Sequence, residues 1–183
     1  MNMKLEKILS EKRSVIVDRW LDRVFETYSE DSRRFLRKQK DRFANPVGTT
    51  LTRDIGNLYE GLLQEVDRER ITPVIDRIIR IRAIQDFSPS EAISFIFRLK
   101  DIIREELKKE LQEETFAREM QIIESRVDEL ALIAFDIFIQ CREKIYEMKA
   151  QESRNMVSGL LRKAKLLVDL PELKADLKGK DLV

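Results

Sequence analysis

The segment that most constrains the fold of this chain is the sequence Ser-Pro-Ser-Glu at residues 88–91. Ser88 is a typical helix N-cap, proline is tolerated at the first helical position, and a glutamate three residues after the cap completes a capping box. Near its start, the segment 92–107 that follows is apolar over about 200° of a helical wheel, which is wider than the apolar face of a surface helix. We therefore predict a central helix that is packed on most of its sides.

Composition extends this prediction to the whole chain. Of the 183 residues, 43% are hydrophobic and 38% are charged, whereas only 5 are glycine and 4 are proline. Few turn-forming residues and many charged helix formers are typical of an all-α protein with long helices. We predict one domain over residues 1–150, followed by a helical extension and a loose tail over residues 151–183.

The chain contains no histidine, which removes several classes of function. Ser-His and Cys-His nucleophile pairs need a histidine, and so does a His-ligated zinc or haem site. The single cysteine, Cys141, cannot form an intrachain disulfide. We expect no cofactor, and the protein should therefore purify without haem.

Charge and hydropathy favour a cytoplasmic protein. A formal net charge of +1 gives no reason to expect a nucleic-acid partner. No stretch reaches the 18 or so apolar residues of a membrane-spanning helix, so we expect no membrane insertion.

Apolar periodicity and cap signals divide the chain into helices. Asn45-Pro46 and Thr72-Pro73 are read as two further helix starts. The predicted helices cover residues 4–28, 33–40, 46–66, 73–85, 89–107 and 115–148. The short helix 33–40 is strongly basic, and two interpretations stay open: a solvated face, or a docking patch for an acidic partner.

The helix predicted over residues 115–148 carries two apolar sets. The first repeats with alternating spacings of three and four, a 3.5-residue period that keeps one seam facing a partner helix. The second set lies only in the middle of the helix, at Leu132, Ile133, Phe135, Phe138 and Ile139. One face can pack on the domain, and we expect the other to form a homodimer. The predicted dimer seam consists of Val127, Leu130, Ala134, Ile137 and Cys141.

Two glycines lie on one side of the helix 46–66. A glycine inside a helix costs roughly 0.5–1 kcal/mol relative to alanine, so its presence indicates close approach of another helix or of a ligand. Together with three aromatic residues these glycines are predicted to line an apolar pocket, although a filled interior would give the same pattern. The pocket residues are Gly48, Gly56, Tyr59, Phe95 and Phe97.

Three stretches together suggest a family: RWLDRVFETY at 19–28, DRFANPVG at 41–48 and IRAIQDFSP at 81–89. They resemble the N-terminal domain of the RsbR/RsbRD family of RsbT co-antagonists, the sensory subunits of the bacterial stressosome. The resemblance covers about residues 5–150. It implies a globin-like helical fold without haem, a dimer, and a role as a signal-input module.

Full-length members of that family continue from the last long helix into a STAS output domain. Here the residues after 148 are too few for such a domain, so we expect an input module without its output. For this chain the resemblance therefore does not carry over stressosome assembly, RsbT binding or phosphorylation.

Three functions follow from these observations. The leading expectation is a non-enzymatic sensory or adaptor module, for which a retained small molecule would be evidence. The alternative is a structural helical subunit of a larger complex, for which a stoichiometric protein partner would be evidence. A carboxylate-based enzyme is the third, with Asp86, Glu91 and Asp136 as the acids nearest apolar sequence; Glu91 already has a capping role.

Overall fold

The computed structural model describes residues 4–39, 41, 43–64, 67–85, 87–112 and 114–164. Secondary structure in these ranges is helical throughout, as the composition predicts. Contacts divide the chain into two compact units, Met1–Arg142 and Glu143–Val183. The predicted loose tail lies outside the described residues, which end at position 164.

The secondary structure of the described ranges consists of seven α-helices and one short 3-10 helix. In chain order they are α1 Lys4–Glu11, α2 Arg13–Phe25, α3 Glu30–Lys38, α4 Pro46–Leu63, α5 Arg68–Ile84, α6 Pro89–Glu106, the 3-10 helix Glu110–Gln112, and α7 Glu114–Lys163. In the first unit α4 packs on α5 and on α2, and α2 packs on α6.

The capping box predicted at the start of α6 is confirmed. The Glu91 amide donates to Ser88 Oγ at 3.3 Å, and the Ser88 amide donates to Glu91 Oε2 at 3.0 Å. Most of the apolar residues of α6 are buried, so the helix is central, although Phe97 is 47% exposed. The start of α4 is also confirmed, because Asn45 Oδ1 accepts from the Gly48 amide at 2.8 Å.

The predicted start of α5 at Pro73 is wrong. The helix begins at Arg68, and the Asp67 side chain caps it by accepting from the backbone amides of Glu69 and Arg70. Pro73 lies inside the helix, where it lacks the N–H that would bond to the Glu69 carbonyl. Proline at the first helical position is a common pattern but not a rule, and here the aspartate cap determines the start.

The first predicted helix is divided in two, and the third helix begins earlier than predicted. Lys12 separates α1 from α2, and its Nζ donates to the Glu106 carbonyl at 2.6 Å and pairs with Glu110 at 2.9 Å. This lysine therefore joins the break to the end of α6. The helix α3 begins at Glu30 because Ser29 accepts from the Ser32 amide.

The core of the first unit is continuous from α1 to α7. Trp20 of α2 is fully buried, stacks on Phe95 with ring centroids 6.1 Å apart, and donates from Nε1 to the Phe95 carbonyl at 2.7 Å. Arg126 of α7 pairs with Glu6 at 2.9 Å and donates to the Leu62 carbonyl at 3.0 Å. The first part of α7 is thus fixed to α1 and α4.

A membrane-spanning helix is not found in the described ranges, since none of these helices combines the required length with sufficient hydropathy.

We predict that Ser88→Ala lowers the free energy of unfolding by about 1 kcal/mol, because the amide at the third helical position loses its acceptor. Chemical denaturation followed by circular dichroism measures this difference. Ser125→Ala is the matched control, because Ser125 lies inside α7 and donates only to the Gln121 carbonyl of its own helix. Equal stability of both variants and the wild type would contradict the capping role.

Candidate functional site

The structure does not bring the five predicted pocket residues into one cavity. Gly48 lines a cleft of ≈ 520 Å³ between α2, α3 and α4, and Phe95 lines another of ≈ 550 Å³ between α2 and α6. Tyr59 is fully buried and donates to the Leu9 carbonyl at 3.0 Å. Phe97 is instead half exposed on α6, with the Lys100 ammonium 5.9 Å from its ring centroid.

Both predicted pocket glycines face the chain's own side chains. A Cβ at Gly48 would lie 2.3 Å from Asn45 Nδ2, so the cap of α4 needs glycine there. A Cβ at Gly56 would lie 3.2 Å from Arg13 Nη2, which is a tight contact with α2. The cap of α4 therefore accounts for Gly48, whereas at Gly56 the neighbouring atom is the flexible end of a half-exposed arginine.

Of the three candidate catalytic carboxylates, the structure describes Glu91 and Asp136. Glu91 is exposed and occupied by its capping bonds, and Asp136 is exposed on α7. Asp86 lies outside the described residues. Among the residues that the structure does describe, no cluster of three or more potential metal ligands occurs.

The buried carboxylate of the domain is Asp54, which the sequence did not single out. Its side chain is fully buried and accepts two hydrogen bonds each from Arg53 and Arg77, at 2.7–3.1 Å. Burial raises the pKa of Asp54, but the hydrogen bonds and charges of the two guanidinium groups outweigh it and hold the pKa below the ordinary 3.8. Because Arg77 belongs to α5, this cluster joins α4 to α5.

A second buried charge is Arg82, near the end of α5 and fully buried. Its guanidinium donates to the carbonyls of Ala92 and Glu91 at 3.0 Å each, and to Thr27 Oγ1 at 3.2 Å. Burial lowers the pKa of Arg82, partly offset by Tyr28. Three elements meet at this side chain: the end of α2, the end of α5 and the start of α6.

Aromatic rings surround the Arg82 guanidinium. Its central carbon lies 4.2 Å from the ring centroid of Phe87, 5.3 Å from Phe95 and 5.9 Å from Tyr28. Ring faces attract a cation, and the attraction grows when water is excluded. The side chain is thus held by neutral oxygens and π faces, an arrangement suited to fixing helix ends.

The 3.5-residue seam of α7 faces the domain's own core, which corrects the assignment of this seam to a partner copy. Val127, Leu130 and Ala134 are fully buried and Ile137 is 7% exposed within the single chain. Cys141 is partly buried. Periodicity predicts that a seam is covered, but it does not specify which element covers it.

The second apolar set supplies the exposed face instead. Leu132 is 64% exposed and Phe135 is 46% exposed, whereas Ile139 is partly buried and the set's remaining members, Ile133 and Phe138, belong to the core. These two exposed residues lie three apart, on one side of α7.

Phe97 of α6 lies at the same level as Leu132. Arg104 pairs with Glu124 and Lys100 pairs with Asp128, both at 2.6 Å, so α6 and α7 run antiparallel. One more turn towards the start of α6 and towards the end of α7, position 97 is level with position 132. We call Phe97, Leu132 and Phe135 the α6–α7 apolar surface.

In the C-terminal unit, considered by itself, the structure describes the last part of α7. Its described residues are mostly exposed, and several of them are large and apolar: Tyr146, Met148, Met156, Val157, Leu160 and Leu161. Neighbouring exposed apolar side chains of this kind commonly mark interaction sites.

Comparison with known proteins gives the family. The family model described as the RsbT co-antagonist protein rsbRD N-terminal domain matches residues 14–153, so the chain belongs to this family. An uncharacterised protein of Archaeoglobus fulgidus is 28% identical over 151 residues, which is 76% of this chain and 83% of that protein. No solved structure matches. The family suggests a sensor or adaptor role in stress signalling.

We predict that stability attributable to the Asp54 cluster is lost at low pH. A carboxyl group whose folded-state pKa is below 3.8 stabilises the fold above that value, and this contribution disappears as pH falls through the folded-state pKa. Asp54→Asn should cost about 1–3 kcal/mol at neutral pH, a range that reflects the partial exposure of both arginines. The difference from the wild type should shrink as the pH falls below 3.8 in urea titrations; a difference independent of pH would contradict this assignment.

Proposed function

We propose that this chain is a non-enzymatic signal-input or adaptor module, globin-like and free of haem, that acts as a homodimer in the cytoplasm. The family supports the signalling role, and the absence of histidine from the sequence supports a haem-free domain. The α6–α7 apolar surface is the single observation that carries the dimer.

A second copy suits this surface because a two-fold axis pairs a patch with itself. Leu132 and Phe135 protrude from a helix whose opposite side is packed on the core. Two such helices related by two-fold symmetry bury both patches together. An apolar helix face is also the usual way in which a helical module passes a signal to a neighbouring subunit.

A ligand that carries the signal would bind in one of the two clefts beside α2. The cleft between α2 and α6 includes Thr27 and Phe95, both of which contact Arg82. A ligand there would act on the residues that hold the start of α6, and α6 carries Phe97 of the proposed dimer surface. The ligand-bearing and dimer-forming parts of the domain would then be joined by one helix.

A structural subunit of a larger complex is the second candidate. The exposed apolar residues of the C-terminal unit favour it, because they give a further surface to a partner. Native mass spectrometry of freshly purified protein distinguishes the two: a homodimer with a retained small molecule supports the sensory module, and a stoichiometric second protein supports the structural subunit.

We predict that Leu132→Glu gives a folded monomer. The two-fold axis would place two carboxylates in the same apolar contact, whereas the monomer leaves Leu132 mostly in water. Ala134→Arg should instead unfold the protein, because Ala134 is fully buried in the chain's own core. Light scattering after size exclusion measures mass, and circular dichroism measures folding.

Glu143→Arg is the control, since Glu143 is an exposed charged residue on the same helix. It should remain dimeric. A wild type that is monomeric at tens of micromolar, or a Leu132→Glu variant that stays dimeric, would contradict the proposed surface.

A further inference from the structure

The corner between α3 and α4 presents two exposed phenylalanines. Phe35 in α3 is 50% exposed, and Phe43 in the turn before α4 is 94% exposed. A phenylalanine left almost wholly in water gains nothing from the fold of its own chain. Exposed phenylalanines of this kind offer apolar area that another molecule can cover.

This corner is held by specific hydrogen bonds. Asn45 is 2% exposed, and its Nδ2 donates to the carbonyls of Leu36 and Gln39 at 2.9 Å each, while its Oδ1 caps α4. The Phe43 amide donates to Asp41 Oδ1 at 2.9 Å. The Phe43 amide and the Asn45 side chain are therefore both held by hydrogen bonds, while the Phe43 side chain is exposed.

Two cations and one carboxylate share a cleft with Phe35. A shallow cleft of ≈ 380 Å³ is lined by Asp31, Arg34, Phe35, Lys38 and Gln39. Arg34 is 61% exposed and pairs with Glu30 at 3.4 Å, an exposed i,i+4 pair of the kind that contributes little. Within the described part of the chain, Lys38 makes no ion pair, and both cations are available to a partner.

One further cation of α3, Arg37, is already engaged and defines one edge of the patch. Arg37 pairs with Asp22 of α2, on the side of α3 where Leu36 enters the core. The outer face of α3 consequently combines Phe35 with two available cations, and Phe43 follows in the turn before α4. We call Arg34, Phe35, Lys38 and Phe43 the α3–α4 corner.

We propose that the α3–α4 corner docks an acidic protein segment that carries large apolar side chains. The carboxylates of that segment would meet Arg34 and Lys38, and its apolar side chains would cover Phe35 and Phe43. This site lies on different helices from the α6–α7 apolar surface and does not depend on the homodimer. It supplies the protein partner that an adaptor requires.

A protein segment suits the corner better than an anionic membrane does. Glu30 and Asp31 stand at the start of the same helix, and a uniformly negative surface would be repelled by both. A protein segment places its carboxylates only where cations meet them. Charge complementarity at single positions therefore favours a protein partner.

Fluorescence anisotropy with a labelled synthetic peptide tests the proposal. The probe peptide alternates glutamate with leucine and phenylalanine, and a control peptide carries glutamine in place of every glutamate. We expect saturable binding of the glutamate peptide, weakened by added salt because the contacts are exposed. The glutamine peptide should bind at least about tenfold more weakly.

Variants locate the site. Arg34→Glu with Lys38→Glu should weaken binding at least about tenfold, Arg34→Gln with Lys38→Gln less so, and Phe43→Ser several-fold. The matched control is Lys108→Glu with Lys109→Glu, which makes the same charge change at two exposed lysines after α6. This control should bind as the wild type does, and circular dichroism should show that all variants fold.

Three results would overturn the proposal. The first is that the wild type shows no saturable binding, and the second is that the charge-reversed variant of the corner binds the peptide as well as the charge-reversed control does. The third is that the protein binds phosphatidylserine vesicles in a way that needs Phe43 but does not bind the peptide. The last result would assign the corner to a membrane surface. Because the dimer is measured by light scattering, failure here is distinguishable from failure of the dimer.

Discussion

The burial of Arg82 is the interaction on which the arrangement of the first unit depends. A charge removed from water is costly unless hydrogen bonds replace its hydration. Here the replacements are the carbonyls of Glu91 and Ala92, the Thr27 hydroxyl, and three aromatic rings. These partners come from different helices, so the guanidinium is satisfied only when the end of α2 and the start of α6 lie in their observed places.

Polar contacts between helices fix the positions of the elements around Arg82. The capping box sets where α6 begins, and Trp20 of α2 donates to the carbonyl of Phe95, nearly two turns into the helix. Towards its far end α6 pairs with α7 through Lys100–Asp128 and Arg104–Glu124. This register brings Phe97 level with Leu132, so the proposed dimer surface is a consequence of how α6 is held. The Asp54 cluster gives α4 and α5 a comparable link.

Features set by neighbouring residues, such as helix caps, could be predicted from the sequence. Contacts between residues far apart in the sequence could not. Ser88 and Asn45 reveal their capping roles through neighbours within three residues. Arg82 and Asp54 belong to residue types that are usually exposed, and nothing local marks them as buried. The repeat through Ala134 predicted a covered seam, but a heptad pattern is the same whether its cover is the domain or a second copy. The family resemblance, by contrast, was carried by short stretches and is confirmed over residues 14–153.

The most direct test of this account compares Arg82→Lys with Arg80→Lys in denaturant, followed by the fluorescence of Trp20, the single tryptophan. Lysine keeps the charge of Arg82 but cannot direct donors at three acceptors in a fixed fork. We expect Arg82→Lys to lose about 1–3 kcal/mol of unfolding free energy and to shift the native emission of Trp20, which stacks on Phe95 beside the guanidinium. Arg80 is 58% exposed and pairs with Asp76, so its variant should match the wild type. Equal stability and unchanged emission in both variants would contradict the central role of Arg82.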